Sequence, residues 1–310
     1  WKMKCIFVYN PISGSGKINK YIDYIRQKLS TKFDEVEIYA TKYAGELKVL
    51  AESACGVYDY FIFAGGDGSF NEVVNGLKER ENKPVLGYIP TGTVNDIART
   101  LKIKRNVKGA IKNILHGKEE KLDVMKINDD HYAMYCCGCG GLTSCSYEAK
   151  QESKKKIGKY AYALEILRND LAFDEFPIEF SSDRFSFSGD VLHIMALNTR
   201  SLSSFRVNPD GVLNDNKFEI VFVKQFKRKH KLTKLRRFKN LMHTIKEFLL
   251  GYRLVKKDRN YFVYEGNNVK IKVPDDVVWN FDGEKGVSGE ITLTIAHENI
   301  TLIIPKNAKP

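Results

Sequence analysis

Tyr60-Phe61-Ile62-Phe63-Ala64-Gly65-Gly66-Asp67-Gly68-Ser69-Phe70-Asn71-Glu72 is the stretch that decides the fold. Its first four residues are an apolar run that reads as a buried strand. Beyond the turn, Phe70, Val73, Val74 and Leu77 recur at the spacing of one helical face. A strand therefore feeds a glycine-rich turn, and the turn opens a helix. Glycines let a backbone approach a ligand closely. The free N–H groups of a helix start attract an anion, most often phosphate. An acid inside such a turn would repel phosphate unless it holds a metal or a hydroxyl. Asp67 therefore points to Mg2+-nucleotide chemistry rather than to simple anion binding.

The same order recurs on either side. Residues 5–9 read as a strand, and Ile18, Tyr21, Ile22, Ile25 and Leu29 then share one helical face. Residues 36–40 and 85–89 are further strands, the latter followed by a helical stretch over 94–101. This alternation predicts a parallel sheet covered by helices, a Rossmann-like α/β nucleotide domain, with ligands at the C-terminal strand ends. Two more turns sit there. Asn10-Pro11-Ile12-Ser13-Gly14-Ser15-Gly16-Lys17 resembles a truncated P-loop, but Ile18 stands where that motif needs Ser or Thr. Taken alone, it reads equally as a tight structural turn. Pro90-Thr91-Gly92-Thr93-Val94-Asn95-Asp96, taken alone, is a helix start capped by Thr93 or Asn95. Three such turns after strands of one α/β unit favour a nucleotide site over three coincidental bends.

After Leu122 the texture changes. Short β-rich runs at 132–137, 177–180, 191–197, 218–223, 269–273 and 291–295 are separated by turn residues. They predict a mainly antiparallel, β-sandwich-like second domain over 126–296, after a first domain over 1–125. The second domain carries a basic amphipathic helix, residues 227–250, with Leu232, Leu235, Phe238, Leu241, Met242 and Ile245 at helical spacing. Between Lys224 and Lys239 stand nine Lys or Arg residues and no acid, so the net charge of +12 is localised. Such a surface suits nucleic acid or an anionic membrane. Phe226 and Phe238 are too sparse to serve as stacking platforms for bases, so a membrane is expected and nucleic acid is not.

The 310 residues allow two ordinary domains, and no run approaches the ~18 apolar residues of a membrane span. The start of the chain is too polar and then too strand-like for a secretory signal. Six cysteines, four of them within 136–145, make no disulfide framework in a chain this long. Cys136 and Cys137, as strand neighbours, point to opposite faces and share a metal poorly. A cytoplasmic location is expected.

Two oxygen-rich segments stand out in the second domain. Trp279-Asn280-Phe281-Asp282-Gly283-Glu284 places two carboxylates around a glycine, although Asp-Gly is also the common hairpin dipeptide. Asn208-Pro209-Asp210-Gly211-Val212-Leu213-Asn214-Asp215 reads as a solvated turn or as a hard-cation site.

Taken together, residues 10–14, 65–69, 90–96 and 282–284 resemble the bacterial diacylglycerol kinase and lipid kinase family, over nearly the whole chain and in order. The resemblance implies ATP in a cleft between the two domains and a last strand, here 299–304 within 297–310, that returns to the first. It implies ATP contacts at Asn10, Pro11, Ile12, Ser13, Gly14, Thr41, Gly65, Gly66, Asp67, Gly68, Ser69, Phe70, Asn71 and Thr93. It implies a structural Mg2+ held by carbonyls of Val212 and Lys217 and by the Asp215 carboxylate. It places the proton acceptor at Glu284 or Asp282, with Asp67 orienting metal or hydroxyl. The expected activity is ATP-dependent phosphorylation of a lipid hydroxyl, most simply diacylglycerol to phosphatidic acid. The enzyme would sit peripherally at the inner face of the membrane, with a homodimer left open. Ser69 replaces the family's usual Thr and keeps the hydroxyl. Ser201-Leu202-Ser203-Ser204-Phe205 replaces a glycine-rich stretch, and Asn216 stands where many members have Gly. The competing readings are a soluble-substrate kinase related to NAD kinase and a non-catalytic, nucleotide-responsive membrane-binding protein.

Overall fold

A computed structural model describes residues 2–140, 175–202, 206–224 and 261–310. Strands β1 (Lys4–Tyr9), β2 (Glu35–Ala40), β3 (Tyr60–Gly65) and β4 (Val85–Pro90) form a parallel sheet in the order β2-β1-β3-β4. The inner strands β1, β3 and β4 are apolar on both faces, as a sheet covered on both sides requires. Alternate residues serve separate cores. Phe61, Phe63 and Tyr88 pack with α2 (Glu46–Ala54) and α3 (Asp67–Leu77). Phe7, Ile62 and Ile89 face α1 (Ile22–Leu29) and α5 (Val107–His116) instead.

Two sequence expectations need correction here. The helical pattern that begins near Ile18 is a 3-10 helix over Ser13–Tyr21 before α1 starts. The stretch expected to be helical over 94–101 contains only the short α4 (Asp96–Thr100), because Asn95 adopts a left-handed conformation that no helix continues through.

Next come β5 (Lys118–Ile127), β6 (His131–Ala133), β7 (Cys136–Gly140), β8 (Phe176–Ser182), β9 (Ser186–Val191), β10 (His193–Leu197) and β11 (Phe218–Val223). The chain finishes with β12 (Tyr261–Gly266), β13 (Asn268–Lys272), β14 (Val278–Phe281), β15 (Glu284–Ser288) and β16 (Ile291–Ile304). The first sheet continues as β4-β16-β13-β8-β9, and a second, antiparallel sheet runs β12-β11-β10-β7-β14-β15. Phe180, Ile271 and Leu293 of one layer pack against Ile194, Phe222 and Trp279 of the other. An α/β nucleotide-type layer joined to an antiparallel sandwich is therefore the observed architecture.

The apolar runs at 132–137 and 191–197 are each split, at Met134-Tyr135 and at Leu192, and 291–295 is only the first part of a 14-residue strand. That strand, β16, pairs antiparallel with β13 at its start and parallel with β4 at Leu302. β5 runs beside it, with a register shift between Ala296 and Ile300. Residue 125, the expected end of the first domain, lies inside β5. The pleat sends Cys136 into one core and Cys137 and Cys139 into the other. The amphipathic segment 227–250 lies outside the described residues. Among those described, no helix is long and apolar enough to cross a membrane.

Candidate active site

The three glycine-bearing turns stand side by side because their strands are neighbours. Asn10 follows β1, and its Oδ1 accepts the Ile12 N–H at 3.0 Å while Asn19 Nδ2 donates to the Pro11 carbonyl. Ser13 and Gly14 open the 3-10 helix. Thr41 follows β2 and donates its N–H to Tyr9 O at 2.9 Å. At the end of β3, α3 opens with Gly66 as N-cap and no side-chain cap. The Phe70 N–H already bonds Gly66 O. The N–H groups of Asp67, Gly68 and Ser69 have no acceptor within the helix, a geometry that suits an anion and makes this turn the candidate cradle.

The turn after β4 is stacked on this one, backbone to backbone. A Cβ on Gly92 would lie 2.5 Å from Gly66 Cα, so only glycine allows the approach. Thr91 N–H donates to Gly65 O at 2.8 Å. The expected cap is corrected: neither Thr93 nor Asn95 caps α4 with its side chain. Asn95 turns back, donating from Nδ2 to Gly92 O at 2.7 Å and accepting the Gly92 N–H at Oδ1. Thr93 is exposed beside it. Phe70 contributes no side chain to the mouth of the site. Its ring is buried beneath the turn, edge-on to Phe63 and Tyr88.

Behind the cradle lie acids, Asp67 half-buried and Asp96 and Asp282 buried. Asp67 accepts the Ile97 N–H at 3.4 Å. Burial, and then the charge of Asp96, pushes its carboxyl up to about 6, with the Asp96 and Ile97 N–H groups pulling back and Asp282 adding to the rise. Asp96 is itself buried. Neighbouring carboxylates shielded from water repel one another, and a divalent cation relieves that repulsion, so these acids fit the expected Mg2+.

The Asp282-Gly283 turn is a hairpin and an acidic site at once. Phe281 pairs with Glu284 across two residues with φ of 52° and 93°, the left-handed geometry of a tight hairpin. Asp282 points inward. Its Oδ1 accepts the N–H groups of Tyr135 and Cys136, each at 2.9 Å. Its Oδ2 accepts the Met134 N–H at 2.6 Å and Asn71 Nδ2 at 2.9 Å. Burial pushes this carboxyl up while those donors pull it down. Four donors fill the lone-pair directions of a carboxylate, which leaves none for an incoming proton. Glu284 points out. It is exposed, and its Oε1 lies 3.7 Å from where a Cβ on Gly68 would sit, against the start of α3. Glu72 is close enough that burial, and then Glu284, pushes its own carboxyl up.

Asn71 does not face the cradle. It joins α3 to the sandwich through Asp282 and the Tyr132 carbonyl. Val212, Asp215 and Lys217 sit apart from the turns, in the loop before β11. There the Lys217 N–H bonds Asp215 Oδ1 at 3.2 Å, and burial pushes the Asp215 carboxyl up. Asp123, fully buried in β5, reaches the same loop by accepting the Asn216 N–H at 2.7 Å. Its other oxygen holds the Glu298 N–H and His297 Nδ1 at the β16 irregularity. Among the described residues, no group of three or more His, Cys, Asp or Glu is arranged as a metal site. A cation at this loop would draw on Asp215 and main-chain oxygens, donors that hard cations accept. Asp96, Asp123 and His297 were not singled out from sequence. An acid set between the apolar Leu122 and Val124 was the available signal for Asp123.

The diacylglycerol kinase catalytic domain model matches residues 4–127, the layer that carries all three turns. The chain is 30% identical to a diacylglycerol kinase of Bacillus subtilis (strain 168) over 96% of its own length and 95% of the relative's. The chain belongs to the diacylglycerol kinase family. A diacylglycerol kinase of Staphylococcus aureus (strain MRSA252) is 36% identical over 70% of each chain. A crystal structure of a candidate diacylglycerol kinase from Bacillus anthracis str. Sterne superposes with a TM-score of 0.80. It is 25% identical, with 98% of this chain and 95% of that one covered. The protein is thus a kinase, a phosphotransferase of this family, and the nucleotide-type turns and the Glu284 hairpin lie where its two layers meet.

Proposed function

We propose that this kinase transfers the terminal phosphoryl group of ATP to the free hydroxyl of diacylglycerol, giving phosphatidic acid. The reading is carried by the meeting of Glu284 with the open N-terminus of α3, which puts a proton acceptor beside an anion cradle. The phosphates rest on the N–H groups of Asp67, Gly68 and Ser69, with Asn10 to Gly14, Thr41 and Thr93 around the rest of the nucleotide. The acceptor hydroxyl oxygen attacks the terminal phosphorus, the bond to the bridging oxygen breaks, and ADP leaves. The hydroxyl proton passes to the Glu284 carboxylate. Asp282, saturated with donors, holds the hairpin that aims Glu284. Asp67 and Asp96 would hold Mg2+, which when bound neutralises charge on the phosphates. A second cation would tie Asp215 to the Val212 and Lys217 carbonyl oxygens. The basic run 224–239 supports a peripheral position on the inner, anionic face of the membrane, at about 1 kcal/mol per basic side chain near the surface. The test is incubation with labelled ATP and a lipid extract, with the product identified. Labelled phosphatidic acid is expected. Transfer only to a water-soluble acceptor, or nucleotide binding without transfer, overturns the reading.

A further inference from the structure

We infer that a second cavity, apart from the nucleotide turns, binds a phosphomonoester dianion. The cavity measures about 460 Å3 and is walled by the cations Arg99, Lys102, Arg200, Arg206 and Lys309. No acidic side chain lines it among the described residues. It shares no residue with the three turns. Asp96 starts α4 on the catalytic side, whereas Arg99 and Lys102 stand at and beyond the other end of that helix.

Three segments build the walls: the end of α4, the loop after β10, and the last residues of the chain. They are fastened to one another. Thr100 and Thr199 share a buried hydroxyl–hydroxyl hydrogen bond of 2.9 Å that ties α4 to the loop. Thr199 in turn accepts the Ser201 N–H at 3.2 Å. Arg200 donates from Nη1 to the Lys309 carbonyl at 2.9 Å and from Nη2 to a Pro310 oxygen, which brings the terminal segment in. The carbonyls at the end of α4 offer a ligand little. Those of Ile97, Ala98 and Arg99 already accept the N–H groups of Leu101, Ile103 and Lys102. Apart from the Lys309 and Pro310 oxygens that hold Arg200, the cavity presents donors and positive charge.

Like charges gathered in a concave site repel one another, and a bound anion removes that cost. Burial first and the Arg206 charge second lower the pKa of Arg200, as expected of a cation crowded by another. Guanidinium forks match phosphate oxygens two at a time. A volume of this size lies in the range of small-molecule sites and exceeds what a bare inorganic anion fills. The ligand is thus an organic phosphate, whose source is either a lipid headgroup or a water-soluble ester.

Thermal shift and equilibrium binding would be measured with glycerol 3-phosphate, and sedimentation with phosphatidylcholine vesicles lacking or containing phosphatidate. A saturating non-hydrolysable ATP analogue keeps the nucleotide cradle filled throughout. The variants are Lys102→Gln/Arg206→Gln, at the exposed rim where folding is not at stake, and Arg200→Gln on the inner wall. Glycerol 3-phosphate should stabilise the native protein and bind the variants about tenfold more weakly. If the source is a lipid, the gain in sedimentation from phosphatidate also falls in the rim variant. If the source is soluble, that gain is unchanged while glycerol 3-phosphate binding is lost. Equal responses of native and rim variant to both probes overturn the inference. Failure of the ATP analogue to bind would count against the proposed kinase mechanism and not against this cavity.

Discussion

Asp67 carries a conflict between stability and chemistry that a single substitution exposes. In the folded chain its carboxyl is lifted from 3.8 to about 6 by burial and by Asp96. An acid lifted in this way costs the folded state nothing while both states are protonated. The cost grows as pH rises from 3.8 and is complete above about 6, where it reaches about 3 kcal/mol in the metal-free protein. Asp67→Asn should therefore stabilise the metal-free protein at pH 7 but not near pH 3.5, and should abolish turnover. Urea titrations in chelator across that range, beside a kinase assay, check both halves. A variant that is no more stable at pH 7, or one that turns over at the native rate, contradicts the assignment. Glu284 and Asp282 should separate by the kind of damage their loss does. Glu284→Gln is expected to keep its stability and ATP affinity while kcat falls roughly 10²–10⁴-fold. Asp282→Asn aims an amide at donors that had a carboxylate, so it should lose about 2 kcal/mol of stability. The reverse pattern would make Asp282 the base.

At the scale of elements, the site depends on how closely two turns approach. Gly66 and Gly92 touch through their backbones, and the Asn95 side chain locks that contact by bonding both main-chain groups of Gly92. A methyl group at Gly92 would meet the Gly66 backbone, which cannot swing aside as a side chain can. Gly92→Ala should therefore force the turns apart and weaken ATP binding at least about tenfold, a loss of ~1.4 kcal/mol. The packed core of Phe63, Phe70 and Tyr88 beneath should keep the protein folded. Calorimetric titration with ATP alongside a melting curve tests this. Unchanged affinity would mean that the stacked turns do not shape the nucleotide site.

At the scale of the whole molecule, β5 and β16 run together from the parallel layer into the sandwich, so the cradle shares its sheet with one layer of the sandwich, while the hairpin belongs to the second sheet and meets α3 across the gap between them. Asp123 fastens the loop before β11 to the β16 irregularity in the same region. The membrane-facing part of the reading rests on the basic run, of which only Lys224 belongs to the described residues. Electrostatic docking predicts vesicle binding that strengthens with anionic lipid and weakens with salt, as the Debye length falls from ~10 Å at 0.1 M to ~3 Å at 1 M. Reversing Lys227, Arg228, Lys231 and Lys234 to Glu should lower vesicle binding and activity on vesicles. Activity on a short-chain, water-soluble diacylglycerol should survive. Equal vesicle binding by native and reversed proteins rules out docking through this run.

What was legible from sequence is what local chemistry dictates. Apolar runs marked β1, β3, β4 and β11 nearly to the residue, because buried strands need continuous apolar side chains. The strand–turn–helix order gave the parallel layer, and the Asp-Gly dipeptide gave the hairpin. Tertiary structure alone decided the roles that depend on partners far away in the chain. Asp282 and Glu284 are equivalent as letters. They differ because the N–H groups of residues 134–136 and the Asn71 amide converge on the first, while the second stands exposed against the start of α3. Asn95 has the composition of a cap, yet its hydrogen bonds go to Gly92, since the stacked turn needs them more than α4 does. Cations from α4, the loop after β10 and the chain's last residues meet around one cavity although some 200 residues separate the first from the last. Sequence spacing encodes periodicity along an element, and a convergence of this kind is set by the packing of elements against one another.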